Sequence, residues 1–266
     1  MGSLKGQIAV VTGGGSGIGR AIAHQLSKQG AHVWVADLHE DSASRVVAEI
    51  RENGNQATAY RLDVSDPERV ARFFESVDQA CGRVDILVNN AGIAGNPSLL
   101  SQMADEEWLR MFNIHVHGSF YCLREASKRM MRNRYGRVIN MSSLAAETSL
   151  AGFSHYGAAK YAIVGLTEAA AKELAGYQIT VNAIKPGIIR SALTQGILGM
   201  AEDRLAEATP LKRIGDPEDI AKVVSMLVQP ETSFVTGISV VVDGGFHLFN
   251  EMDQVMLDAL GQSSKA

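Results

Sequence analysis

Seven short apolar runs recur along the chain with helical patterns between them, and this alternation limits the possible folds more than any other feature. Residues 7–11, 32–36, 57–62, 84–89, 137–141, 179–184 and 238–242 read as strands. Several are apolar at nearly every position, as parallel strands covered on both faces must be. Residues 19–29, 42–53 and 67–81 carry helical spacing. A regular βαβ alternation predicts an α/β fold, a single doubly wound Rossmann domain over 1–266 with a seven-stranded parallel sheet. Two stretches break the rhythm. Residues 191–215 are longer than a simple crossover, and a tail over 246–266 follows the last strand.

The 266 residues are enough to bury a full core. Basic residues number 25 and acidic ones 29, so the net charge of −4 gives no basic surface for nucleic acid or an anionic membrane. Cys81 and Cys122 form no metal motif and read as free thiols of a reducing compartment. With no bilayer-length apolar run and no secretory signal, the expected location is cytoplasmic.

The first strand runs into Thr12-Gly13-Gly14-Gly15-Ser16-Gly17-Ile18-Gly19, which opens the first helix. Glycine lets the backbone turn tightly and approach a pyrophosphate, and the helix start offers free N–H groups. Gly13, Ser16, Gly17, Ile18 and Gly19 are therefore candidate dinucleotide-binding positions. Asp37 closes the second strand twenty residues after Gly17. A carboxylate there accepts hydrogen bonds from both adenosine ribose hydroxyls and repels a 2′-phosphate. Ser16 and Leu38 bring no positive charge, so the pattern favours NAD(H) over NADP(H). The other role open to Asp37 is capping the next helix. Asp63 and Val64, after the third strand, reach the adenine edge by the same geometry.

Tyr156 and Lys160 lie four residues apart, on one helical face. A free phenol has a pKa of about 10 and is a poor base at neutral pH. An ammonium about 4 Å away contributes on the order of 4 kcal/mol at an effective dielectric of ~20, enough to lower the phenol by up to roughly three units. Tyr156 then takes a proton from an alcohol or gives one to a carbonyl. Ser143, thirteen residues earlier and just past a strand, can hydrogen-bond the same oxygen. A surface tyrosine beside a surface lysine is the plainer reading of the pair.

Taken in order, Thr12-Gly13…Gly17-Ile18-Gly19, Asn89-Asn90-Ala91-Gly92, Ser143, Tyr156 with Lys160, Pro186-Gly187 and Val242-Asp243-Gly244-Gly245 resemble the classical short-chain dehydrogenase/reductase family over nearly the whole chain. The resemblance implies that Ser143 holds the substrate oxygen and Tyr156 moves the proton. It implies that Lys160 also binds the nicotinamide ribose, together with Tyr156. Asn90 would line the cofactor site, and the Ile188 backbone and Ser191 hydroxyl would hold the carboxamide. One departure stands out. His115, counted from Trp108 to Gly118, occupies the place of an asparagine whose main-chain carbonyl serves a proton relay. His115 is accordingly a fourth catalytic candidate. The fold can cluster His115, His117 and His155 near the site, but their spacing fits no zinc pattern and no metal is expected; His155 is expected to meet polar substrate groups or simply to pack.

Leu193, Ile197, Leu198, Met200 and Leu205 make the 191–215 stretch either an apolar lid over a medium-sized secondary alcohol or ketone, or ordinary amphipathic packing. Three functions compete: an NAD-linked alcohol dehydrogenase or carbonyl reductase, a 3-oxoacyl carrier-protein reductase using NADPH, and a non-catalytic NAD-binding protein. The resemblance also implies a homotetramer. The apolar stripe Met252, Val255, Met256, Leu257 and Leu260 suggests that the tail helps to build it, or else caps its own domain.

Overall fold

The computed structural model describes residues 3–248, 252, 253 and 256. The first half runs β1 (Ile8–Thr12), α1 (Gly17–Lys28), β2 (His32–Asp37), α2 (Glu40–Glu52), β3 (Ala57–Arg61), α3 (Pro67–Cys81) and β4 (Ile86–Asn89). The second runs α4 (Asp105–Phe112), α5 (Gly118–Asn133), β5 (Gly136–Met141), α6 (Ser154–Leu174), β6 (Ile179–Pro186), α7 (Gln195–Ala208), α8 (Pro217–Leu227) and β7 (Ser239–Val242). The strands form one parallel sheet in the order β3-β2-β1-β4-β5-β6-β7. This is the doubly wound architecture that the sequence predicts.

Alternation along the strands explains the two cores. Ala9, Val11, Val33, Val35 and Ile184 face the layer of α1, α2 and α8. Val10, Trp34, Leu87, Val138 and Val181 face the layer of α3, α5 and α6. Local signals set the helix ends. Asp66 caps α3 by accepting from Glu68 N and Arg69 N at 3.0 and 3.1 Å, Pro67 follows it, and left-handed Gly82 ends the helix.

Most element ends shift by one or two residues from the sequence reading, and three features have an identifiable cause. β4 begins at Ile86 rather than at residue 84 because fully buried Asp85 turns its carboxylate to the Ile8 amide, 2.8 Å away. α2 begins two residues early, with Glu40 and Asp41 in its first turn, where the helix dipole favours acidic groups. The long helix from residue 105 to 133 is interrupted by a π turn, Asn113–His117, in which Gly118 N–H reaches back to Asn113 O.

The chain winds from β1 outward through β2 and β3, then returns to place β4 on the other side of β1. The C-terminal ends of β1 and β4 therefore diverge into a crevice, where open α/β sheets bind ligands. Thr12 ties its floor together, its hydroxyl oxygen accepting from Asn90 N and Ala91 N at 3.0 and 3.1 Å. Among the described residues no helix is long and apolar enough to cross a membrane.

Candidate active site

The crevice is a cleft of about 320 Å³. Gly13, Ser16, Gly17, Ile18, Gly19, Asp37, Asp63, Val64, Asn90 and Ser191 line it together, so ten of the sequence candidates meet in one place. Ile188 does not line it; its carbonyl accepts from Gly215 N at 3.1 Å. His39, Ile93 and Ile114 join the wall without having been singled out from the sequence. None of the three lies in a glycine pattern or a charged pair that would have marked it.

Asp37 is held by two backbone amides. Gly15 N and His39 N donate to its two carboxylate oxygens, each at 2.9 Å. A Cβ on Gly15 would lie 2.9 Å from Asp37 Oδ2 and 2.7 Å from the Ser42 Cβ, so only glycine lets this contact form. The bonds fix the carboxylate at the mouth of the cleft before any ligand arrives. Each oxygen keeps lone pairs for a vicinal diol. The exposed Ser16 hydroxyl makes no capping bond at the start of α1. Asn90 Nδ2 donates to the carbonyls of Thr12 and Gly13 at 3.0 and 3.1 Å, fixing the glycine turn to the end of β4. These features fit an extended dinucleotide, with phosphates at the turn and a ribose at Asp37.

Ser143, Tyr156 and Lys160 lie beyond this cleft, at the ends of β5 and α6. Ser143 caps a short 3₁₀ turn through Ala145 N, at 3.1 Å. Lys160 is buried, and its ammonium donates to Met141 O at 2.8 Å and stands 5.5 Å from the centre of the Tyr156 ring. The geometry corrects the electrostatic expectation for Tyr156. Burial pushes the phenol up from its usual value, and the neighbouring Ser143 hydroxyl pulls it back only in part. Lys160 contributes no resolved lowering to the phenol, and burial brings its own value down to about 7. Tyr156 is therefore a protonated donor at neutral pH, suited to giving a proton to a carbonyl.

Two of the three histidines, His115 and His155, stay close enough to act on each other, and His117 does not join them. His115 sits in the π turn, buried, with Nε2 2.9 Å from Ile93 O and 3.0 Å from Ile93 N. Its ring meets Tyr156 edge-on, 5.7 Å between centres. Burial, and then the nearby Lys160 charge, push its pKa well below the usual histidine value, so it is neutral. His117 turns away and bonds exposed Asn113 at 2.9 Å. His155 is buried against Phe153. No group of three potential metal ligands occurs among the described residues. His115→Asn should cost less than about tenfold in activity, the worth of one net hydrogen bond. A loss of several orders of magnitude in kcat would instead give the imidazole a proton-transfer role.

Lys160 also makes stability depend on pH. Its folded value of about 7 lies below the 10.5 of a free lysine. Below pH 7 both folded and unfolded chains carry the proton, and the burial penalty is full. Between 7 and 10.5 the unfolded chain binds more protons than the folded one, so stability rises with pH, by up to about 1.4 kcal/mol per unit. Cys122, pushed up to about 12 by burial, opposes this only above its ordinary value of 9. We expect Tm to rise from pH 7 to 9 and the rise to flatten in Lys160→Met. A wild-type Tm that falls over this range would contradict the assignment.

Comparison with known proteins identifies relatives of this fold and sequence. The family profile described as enoyl-(acyl carrier protein) reductase matches residues 13–247. The chain is 37% identical over 241 residues to a 3-oxoacyl-(acyl-carrier-protein) reductase FabG of Staphylococcus epidermidis, covering 90% of this chain and 98% of the relative. It is 35% identical over 242 residues to the protein of that name from Thermotoga maritima, covering 91% and 98%. Among solved structures, a putative gluconate dehydrogenase from Agrobacterium tumefaciens superposes with a TM-score of 0.90 at 32% identity, covering 93% of this chain and 98% of the other. Levodione reductase superposes with a TM-score of 0.89 at 29% identity, covering 93% and 100%.

Proposed function

The chain belongs to the short-chain dehydrogenase/reductase family, and from that premise we propose an NAD(H)-dependent enzyme that interconverts a secondary alcohol and a ketone. The observation that carries this reading is Asp37, fixed at the ribose end of the cleft by Gly15 N and His39 N. A carboxylate there opposes a 2′-phosphate, and a like-charge contact costs several kcal/mol. Bound in the cleft, NAD(H) supplies or accepts the hydride. Ser143 orients the substrate oxygen, Tyr156 gives it a proton in reduction and takes one in oxidation, and Lys160 holds the nicotinamide ribose. The Ser191 hydroxyl, in the cleft wall, holds the carboxamide end. The segment 191–215 acts as the substrate lid; α7 is broken inside it at Ala201, and Leu193, Ile197 and Met200 are exposed there. We further propose a cytoplasmic homotetramer. The expected tail contribution over 246–266 falls largely outside the described residues.

A second reading concerns the substrate. The relatives at 35 and 37% identity are named 3-oxoacyl-(acyl-carrier-protein) reductases, and these names favour a 3-oxoacyl thioester over a simple secondary alcohol, the alternative weighed above with NADPH as its cofactor. Initial rates with NADH and NADPH on a panel of ketones and an acetoacetyl thioester separate the readings. We expect kcat/KM to favour NADH by at least about 100-fold, which corresponds to about 2.7 kcal/mol. Equal or better rates with NADPH would refute the cofactor assignment. Turnover confined to the thioester would establish the second substrate class.

A further inference from the structure

Next to Tyr156, the first turn of α6 carries polar groups that this chemistry does not use. Ser154 Oγ and both ring nitrogens of His155 are buried and have no hydrogen-bond partner in the protein, and neither has Glu107 Oε2. His155 is 0% exposed. A buried donor or acceptor left unmade costs about 1–3 kcal/mol. Glu107 is near enough to act on His155, Ser154 is the preceding residue of α6, and buried polar atoms left unpaired are an expensive way to fill space that apolar side chains would fill without cost.

The cover over His155 is thin. Gly95, in the loop that continues from the cleft residue Ile93, lies directly over the imidazole and is itself partly exposed. A Cβ at Gly95 would stand 2.6 Å from His155 Nε2, and its backbone is left-handed (φ +72°). The other walls are apolar, Met111 beside Gly95 and Phe153 parallel to the imidazole at 6.3 Å. His155 is thus one glycine away from the surface, beside the proposed acid.

Resting on the reading of Tyr156 as the acid/base, we propose that Ser154, His155 and Glu107 form a subsite for a second, hydroxyl-bearing group of the substrate, entered when the Gly95 loop lifts. The donor set selects the class. Burial keeps His155 neutral, and Glu107 is the charged group it feels most. A neutral imidazole and a serine offer donors, and Glu107 offers an acceptor; a hydroxyl satisfies both kinds at once. A carboxylate or phosphate would meet the Glu107 carboxylate and be repelled, since the half-exposed Arg110 reaches only its other oxygen, at 3.7 Å. The preferred substrates are hydroxyketones, with diols in the reverse direction, their hydroxyl a few bonds from the reacting carbon.

The test compares 1-hydroxy-2-butanone and 4-hydroxy-2-butanone with 2-butanone, following NADH oxidation by the full chain. The wild type should favour at least one hydroxyketone by about tenfold or more in kcat/KM, since sites that hydrogen-bond a substrate hydroxyl discriminate against the analogue lacking it. His155→Leu should bring that ratio to within about threefold of one while Tm holds or rises, because unpartnered polar atoms are removed. Should His155→Leu fail to fold, Ser154→Ala should still lower the ratio. A wild-type ratio near one, or a His155→Leu protein that is less stable with its ratio intact, would make the cluster a site for internal water and overturn the subsite alone. Failure to reduce any ketone would overturn the enzymatic reading and the subsite with it.

Discussion

Tyr156→Phe is expected to lose at least about 10³-fold in kcat while NAD(H) affinity changes by less than about threefold. Positioned acid–base groups contribute typically about 10²–10⁴-fold, and here the phenol is the only group proposed to exchange the proton with the substrate oxygen. The substitution removes one oxygen and leaves the ring, so the edge-on contact with His115 survives and the first turn of α6 keeps its packing. Cofactor binding rests mainly elsewhere, on the glycine turn, Asp37 and Lys160, with the phenol adding one bond to the nicotinamide ribose at most. Rates at saturating substrate, with cofactor titrated by fluorescence, read the two effects separately. A variant within tenfold of wild-type kcat would remove Tyr156 from the chemistry. Direction adds a second check. Because burial raises the phenol pKa, reduction should hold its rate through neutral pH, while oxidation, which needs the phenolate, should climb steadily on the alkaline side.

Asp37→Ala is the second large effect. We expect kcat/KM with NADH to fall about 100-fold and that with NADPH to rise about tenfold, so that the preference narrows or inverts. Two changes act together. The variant loses two charge-assisted bonds to the ribose diol, each worth about 1.5–3 kcal/mol. It also removes the negative charge from a place where Arg61 stands in register on β3 and His39 lines the wall. What remains is a more favourable field for a 2′-phosphate. The Gly15 and His39 amides lose their acceptor but lie at the open mouth, where water replaces it, so Tm should move by only a few degrees. An unchanged NADH/NADPH ratio would show that Asp37 serves the turn and not the cofactor.

Much of this was readable from residues in order. Strand periodicity and the βαβ rhythm depend on local pattern, and they gave all seven strands to within two residues at either end. The glycine turn, Asp37, Asn90 and the Tyr156–Lys160 pair were readable because their spacing is fixed by one element or one turn. The remainder depends on what lies across space. Spacing alone places the Lys160 ammonium near Tyr156, but it does not reveal that Met141 O takes one of its protons or that burial lowers its charge. Nothing in the stretch 113–117 announces a π turn, whose stability comes from packing on neighbours rather than from propensity. Likewise the sequence leaves His155 between a substrate-polar role and simple packing until Gly95 is seen to close over it.

The π turn amounts to a single-residue insertion that the fold has kept. Removing one residue between 113 and 117 would restore an uninterrupted α-helix and improve the local hydrogen bonding. It would also rotate everything after the deletion by about 100° relative to α4. Gly118, whose missing side chain admits Val64 from the cleft wall, would face another direction, and so would the buried faces of Cys122, Ala126 and Met130. His115 would leave the Ile93 peptide and the Tyr156 ring. The defect is therefore a phase shift between two surfaces of one helix, the first fitted to the active site and the second to the sheet. A lineage could shed it only by redesigning one of the two, and homologues of this chain should tolerate substitutions within these five positions far more readily than a change in their number.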